Sequence, residues 1–298
     1  MKHKPLIAYL LLVTVISGGL IVAMKAMGER GFYLAAVYML GPAVAALITR
    51  IFFHDGKFRD AHLRFGRIKH FLQFWIICLV IVAVSNLMYT LVGSVTWDFS
   101  GDTFLKQLEK QMAASGQDMT DLPEGFTPKT MLLLFVVGGL TVFNIPLIIT
   151  GFGEEFGWRG LMFPLLYRIR PWMGFVIGGL IWFAWHVPLI FVLPQTHSLT
   201  NVEHALNTIV LAAGSVFAFT FFAYVYIKSQ SIWVVSFAHT VFNNAARSFG
   251  YFVTVENQVM ANLALTVTMG AVVAWLYWRK ELQVFQKYFE QTSKDASP

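Results

Sequence analysis

The sequence predicts an all-α polytopic membrane protein, a bundle of about eight transmembrane helices. Three observations carry this. Of 298 residues, 57% are hydrophobic and only 13% charged, about half the charged share of a soluble domain. Mean hydropathy is +0.62, and so much apolar side chain exceeds what a single core of this size can bury. The apolar residues also fall in runs of about 20, the length that crosses a bilayer, with no period-2 alternation of the kind a β-barrel needs. These features exclude a soluble enzyme, a disordered chain and a disulfide scaffold. Cys78 is the single cysteine, so there is neither an internal disulfide nor a multi-cysteine metal site, and it reads as a small hydrophobe.

The spans follow in order. Residues 5–24 form the first. Its apolar stretch is too long for a signal peptide and no small-x-small cleavage site precedes Lys25, so it reads as a retained anchor. Residues 32–51 and 71–95 are the second and third, and the basic stretch 54–70 between them suits a position beside anionic headgroups. Loop 96–129 is long; within it Phe104, Leu105, Leu108 and Met112 share one helical face after Asp102, which predicts a short helix in the membrane interface. Pro123, Gly125 and Pro128 end it. Residues 131–151, 172–193, 205–227, 232–247 and 259–278 complete the eight. The tail after Lys280 begins amphipathic and turns polar from Gln291. The whole chain, 1–298, reads as one integral membrane domain: three spans and a loop over 1–128, a core rich in polar motifs over 129–250, and the last span with its tail over 251–298.

Eight spans place both termini on one side. If that side is cytoplasmic, Lys25, Arg30, Lys106, Lys110, Lys129 and Arg247 lie outside, and the other sixteen of the 22 Lys and Arg lie inside. The positive-inside rule then predicts cytoplasmic termini and a multi-pass plasma-membrane protein. It also accounts for the net charge of +6 through contact with membrane lipids, without a nucleic-acid partner.

Ionisable groups inside spans are costly, and each is a functional hypothesis. Glu154, Glu155 and Arg159 lie at the end of the fourth span, His186 in the fifth, and His239, Asn243, Asn244 and Arg247 in the seventh. Glu155 and Arg159 are four residues apart and can pair, whereas Glu154 points about 100° away and is free to face a cavity. His239 and Asn243, like Trp182 and His186, also repeat the four-residue spacing. A carboxylate beside imidazoles can deprotonate water, and an amide can donate to a developing oxyanion. The natural reaction is hydrolysis of an amide or ester by activated water. Two imidazoles and a carboxylate can instead hold a metal whose water is the nucleophile. Solute or proton transport is the competing class, because transporters also use buried Glu and His. Counting residues along the spans puts these groups in the cytoplasmic half, with entry from the cytoplasm.

Three motifs sharpen this. Glu154-Glu155-Phe156-Gly157-Trp158-Arg159 resembles the E-E-x-x-x-R motif of the CPBP family, the CAAX-protease and bacteriocin-processing intramembrane proteases. Trp182-Phe183-Ala184-Trp185-His186 resembles its F-x-x-x-H motif, with Trp in place of Phe. His239-Thr240-Val241-Phe242-Asn243 resembles its H-x-x-x-N motif. The resemblance implies a prokaryotic intramembrane endopeptidase with a conical site within the membrane, acting on membrane-associated protein or peptide substrates, prenylated CAAX-type proteins among them. Glu154 and His186 would activate water, His239 and Asn243 would stabilise the oxyanion, and Glu155 and Arg159 would support the site. Two alternatives stay open: a metal, Zn2+ or another divalent ion, on Glu154, His186 and His239, or no cofactor at all. A non-proteolytic relative acting in bacteriocin immunity or as a membrane scaffold is the other reading of the chain.

Overall fold

The computed structural model describes residues 3–114, 118, 127–141, 145–192 and 199–294. It is helical almost throughout. The helices are α1 (Lys4–Ala26), α2 (Ala35–Phe52), α3 (Ile68–Leu91), α4 (Asp102–Ala114), α5 (Pro128–Leu140), α6 (Ile145–Gly157), α7 (Phe163–Ile169), α8 (Gly178–His186), α9 (Asn201–Ser229), α10 (Ile232–Gly250), α11 (Gln258–Trp278) and α12 (Gln283–Lys294). Among the described residues, six helical stretches are long and apolar enough to cross a membrane: α1, α2, α3, the stretch Met173–Phe191 that contains α8, α9 and α11. The protein is an all-helical, multi-pass membrane protein.

Two of the eight expected spans take another form. The fourth is interrupted: α5 stops at Leu140 and α6 begins at Ile145. From there helix runs unbroken to Ile169 through a π-helical turn at Trp158–Met162. Glu154 is therefore not at the end of a span but well inside a long helix. The seventh span exists as α10, but Ser236, His239, Thr240, Asn243, Asn244 and Arg247 make it too polar to rank with the six. A small antiparallel sheet was not legible in the sequence: β1 (Val95–Trp97) pairs with β2 (Val253–Val255), Thr96 opposite Thr254. Three residues per strand are too few for a periodic signal.

The loop helix α4 forms as expected, but its apolar face does not need lipid. Phe104, Leu108 and Met112 are buried against Met131, Leu132 and Tyr251. Pro123 and Gly125 lie outside the described residues, and Pro128 opens α5 instead. The tail helix α12 buries Phe285 and Tyr288. Phe285 and Phe289 meet Phe163 and Tyr167 of α7, with Tyr167 and Phe289 stacked at 4.2 Å.

Helix α6 is the axis of the bundle. Between apolar helices in lipid, close backbone approach replaces hydrophobic burial as the source of packing. Gly153 and Gly157, one turn apart, abut α2: a Cβ on either would lie 2.6 Å from the Met39 or Pro42 carbonyl oxygen. Gly151 faces α10 in the same way, 2.6 Å from Thr240 Oγ1. Every residue from 153 to 163 is buried, so this stretch is enclosed on all sides.

The α2–α3 loop caps one end of this axis. The Arg50 guanidinium is fully buried. It pairs with Asp60 at 2.6 Å and donates to the carbonyls of Lys57 and of Gly160 in the π-turn. Such turns break the regular helical ladder and leave carbonyls for other donors. Ser231, between α9 and α10, donates to Arg64 O and Phe65 O at 2.8 Å. The basic loop is thus tied into the protein.

Candidate active site

Three helices bring the motifs together. Glu154 and Glu155 project from α6 in different directions. Glu155 is fully buried and accepts from Arg159 Nη1 at 2.8 Å and from His239 Nδ1 at 2.7 Å. Arg159 is also fully buried, its guanidinium carbon 4.2 Å from the Phe219 ring centroid and 4.8 Å from that of Trp182. Aromatic faces help hold a desolvated cation. The expected pair is present, and it has a third member in His239.

Glu154 belongs to the other cluster. Its Oε2 accepts from the Trp182 indole N–H at 2.9 Å and lies 3.8 Å from His186 Nε2. His186 Nδ1 donates to the Trp182 carbonyl at 2.8 Å. A carbonyl can only accept, so Nδ1 bears the hydrogen and the neutral ring presents its Nε2 lone pair toward Glu154. The same reasoning at Glu155 leaves Nε2 of His239 as that ring's remaining functional atom. The Trp182 ring lies edge-on to both imidazoles, with centroids 5.2 Å from His186 and 5.9 Å from His239.

The side chain of His186 is 37% exposed and that of Glu154 only 7%, so the gap between them opens on the histidine side. Asn243, one turn beyond His239, is exposed, while its neighbour Asn244 is buried. The structure thus gathers Glu154 with His186, and Glu155 with Arg159 and His239, and leaves Asn243 at the open edge. Phe156, by contrast, is buried beside Arg50. Burial closes the end capped by the α2–α3 loop around Phe156. A polar cleft of about 990 Å³ at that end is lined by His54, Arg59, His62, Arg168 and Tyr288, and by none of the motif residues.

Sequence reasoning missed several partners. The Glu155–His239 bond joins residues 84 apart, and the Trp182–Glu154 bond joins residues 28 apart. Behind them Trp185 donates to Ser17 at 2.8 Å and Tyr38 donates to the Trp185 carbonyl at 2.6 Å. Only the Trp182–His186 spacing was visible in advance, and nothing in it gave the indole a carboxylate partner.

Among the described residues, no three His, Cys, Asp or Glu side chains gather as a metal-holding group. Of the expected ligand set, Glu154 lies 3.8 Å from His186, His239 Nδ1 is engaged by Glu155, and the Trp182 ring borders both imidazoles.

No curated protein matches the chain. The family model described as type II CAAX prenyl endopeptidase Rce1-like matches residues 130–245, a segment that includes all three motifs and supports a protease. The match agrees with the resemblance read from those motifs: residues 130–245 are similar to the Rce1-like CAAX prenyl endopeptidases, consistent with the CPBP family.

Proposed function

We propose that this protein is an intramembrane endopeptidase that hydrolyses peptide bonds of membrane-associated substrates, with Glu154 and His186 activating the water. The observation that carries this reading is the pairing of a nearly buried carboxylate with an imidazole lone pair 3.8 Å away. That separation is too long for a direct hydrogen bond. It suits a water about 2.8 Å from each atom, at the apex of a triangle on that base. The water attacks the scissile carbonyl carbon as Glu154 takes its proton. The C–N bond then breaks, and the proton passes to the departing amine from Glu154 or His186.

His239 and Asn243 are the groups for the oxyanion. With Nδ1 held by Glu155, His239 donates through Nε2 when protonated, and Glu155 stabilises that imidazolium. Asn243 adds an amide donor one turn away. Glu155 and Arg159 support the site: the carboxylate orients the imidazole and the guanidinium balances the carboxylate. The substrate is a membrane-bound protein or peptide, with prenylated CAAX-type chains as the first class to test. The membrane is a prokaryotic plasma membrane with both termini cytoplasmic, on the strength of the basic-residue split.

The test is a cleavage assay with purified protein on a prenylated peptide and on a membrane-peptide library, wild type against Glu154→Gln. Cleavage by wild type and none by a folded Glu154→Gln variant is expected. Function unchanged by the substitution overturns the enzyme reading and leaves the scaffold or immunity role.

A further inference from the structure

Trp182 stands where the family motif has Phe, and the substitution adds a hydrogen-bond donor. The ring is buried. Its indole N–H donates to Glu154 Oε2 at 2.9 Å, while its own backbone carbonyl accepts from His186 Nδ1 at 2.8 Å. Its ring is edge-on to His186 and His239 and covers Arg159 at 4.8 Å. One residue therefore contacts all of Glu154, His186, His239 and Arg159. A phenyl ring would keep the aromatic contacts and the backbone bond, and would lose only the bond to Glu154.

We infer that Trp182 is a positioning residue, whose indole N–H fixes one carboxylate oxygen of Glu154 and so sets the orientation in which Glu154 meets water and His186. The inference rests on the proposed roles of Glu154 and His186. A carboxylate side chain without such an anchor rotates among several orientations, and small errors in the placement of a reacting group reduce rate steeply. With Glu154 acting as the base, its carboxylate is the acceptor, which puts this N–H bond among the stronger protein hydrogen bonds. It removes rotational freedom from Glu154 before the substrate arrives. It acts on orientation and makes no contact with the substrate's side chains, so its loss is expected in turnover and not in substrate affinity.

Two measurements test this, and only one depends on proteolysis. In the first, indole 15N–1H resonances are recorded for wild type, Trp182→Phe and Glu154→Gln in detergent micelles. Trp182→Phe identifies the Trp182 resonance by its disappearance. A downfield signal that moves upfield in Glu154→Gln shows the charged bond, and a resonance indifferent to Glu154 overturns the inference whether or not the protein cleaves anything. In the second, with a cleaved peptide in hand, Trp182→Phe should lower kcat about tenfold to a hundredfold, the scale of a lost hydrogen bond to a charged group. KM should stay unchanged, and the protein should remain folded with a modestly lowered melting temperature. An unchanged kcat, or a rise in KM alone, overturns the positioning role. If Trp182→Phe fails to fold, Trp182→His restores a ring N–H of similar reach. Restored turnover in that variant supports the role, and a well-folded Trp182→His without turnover counts against it. Absence of cleavage by wild type itself would instead count against the proposed function and leave the resonance test standing.

Discussion

The two halves of this bundle follow different packing rules. At the end capped by the α2–α3 loop, residues 153–163, 219–227 and 234–241 are buried without exception. There the helices meet through glycines, aromatic rings and a buried arginine. Toward the other end the same helices loosen. No residue of 201–218 in α9 is buried, Leu133, Leu134 and Phe135 of α5 are exposed, and α10 exposes Asn243, Ala246 and Arg247. The motif residues lie on the boundary. Glu154, Glu155, Arg159 and His239 sit in the closed half, and Asn243 and the exposed side of His186 face the open one. A closed half can hold charges in fixed geometry, and an open half can admit a peptide.

The comparison breaks first if the ion pair in the closed half is dispensable. Glu155→Ala leaves Arg159 buried without its carboxylate and His239 without its anchor. The expected loss is about 3–5 kcal/mol, the range for one partner removed from a buried pair. It is read as a collapse of melting temperature or folded yield in detergent. Full stability with selective loss of cleavage would move Glu155 from support into the chemistry.

Gly157→Val comes next. Its side chain would collide with Pro42 and with Tyr9 Oη, both 2.6 Å from a Cβ. Backbone of α2 cannot yield cheaply, so destabilisation of about 1–3 kcal/mol or more is expected. Thermal unfolding measures it.

The rim of the closed half should respond to acid. His62, in the α2–α3 loop, meets the Tyr288 hydroxyl of α12 at 2.7 Å. Burial, aided by the Arg64 cation and opposed by Asp60, holds its pKa down to about 4 from the usual 6.5. The folded protein therefore refuses a proton that the unfolded chain accepts. Stability present above pH 6.5 is lost as pH falls toward 4. Melting temperature should decline over that window, and His62→Gln should flatten the decline. An unchanged slope in the variant would assign the acid response to other groups.

The smallest effect is expected in the open half. A Cβ on Gly138 of α5 meets nothing within 4 Å. Gly138→Ala should be neutral or stabilising by at most about 1 kcal/mol, the helix-propensity difference. A loss like that of Gly157→Val would mean that α5 is packed as tightly as α6, and the contrast between halves would fail.

Much of this was legible in the sequence, for identifiable reasons. Apolar runs of span length mark lipid-crossing helices wherever a helix is apolar along its length, as α1, α3 and α11 are. The motif residues stood out because charge is rare in such runs, and Glu155–Arg159 could be paired from local spacing alone. Tertiary contacts left no such trace. The bonds from His239 to Glu155 and from Trp182 to Glu154 depend on how α6, α8 and α10 cross. The π-turn at Trp158–Met162 has no residue signature, although it lets Arg50 reach the Gly160 carbonyl. Gly153-x-x-x-Gly157 was readable as a close-packing motif, but its neighbouring glutamates drew the attention. Gly178 packs as closely, its Cβ position 2.7 Å from the Phe219 ring.

The link between α9 and α10 bears on how the chain enters the bilayer. Only Gln230 and Ser231 separate the two helices. Gln230 closes α9 in the left-handed region, at φ 48°, and Arg64 Nε donates to its carbonyl at 2.8 Å. A connection this short makes the pair a helical hairpin. On its own, α10 is a poor candidate for partitioning, with an imidazole, two amides and a guanidinium along its length. Joined to the apolar α9, it can leave the translocon as the second arm of a two-helix unit whose first arm supplies the favourable transfer free energy. His239 is then carried into the membrane by its neighbour's hydrophobicity, and lengthening the two-residue link should show up first as failed biogenesis, before any defect in the chemistry.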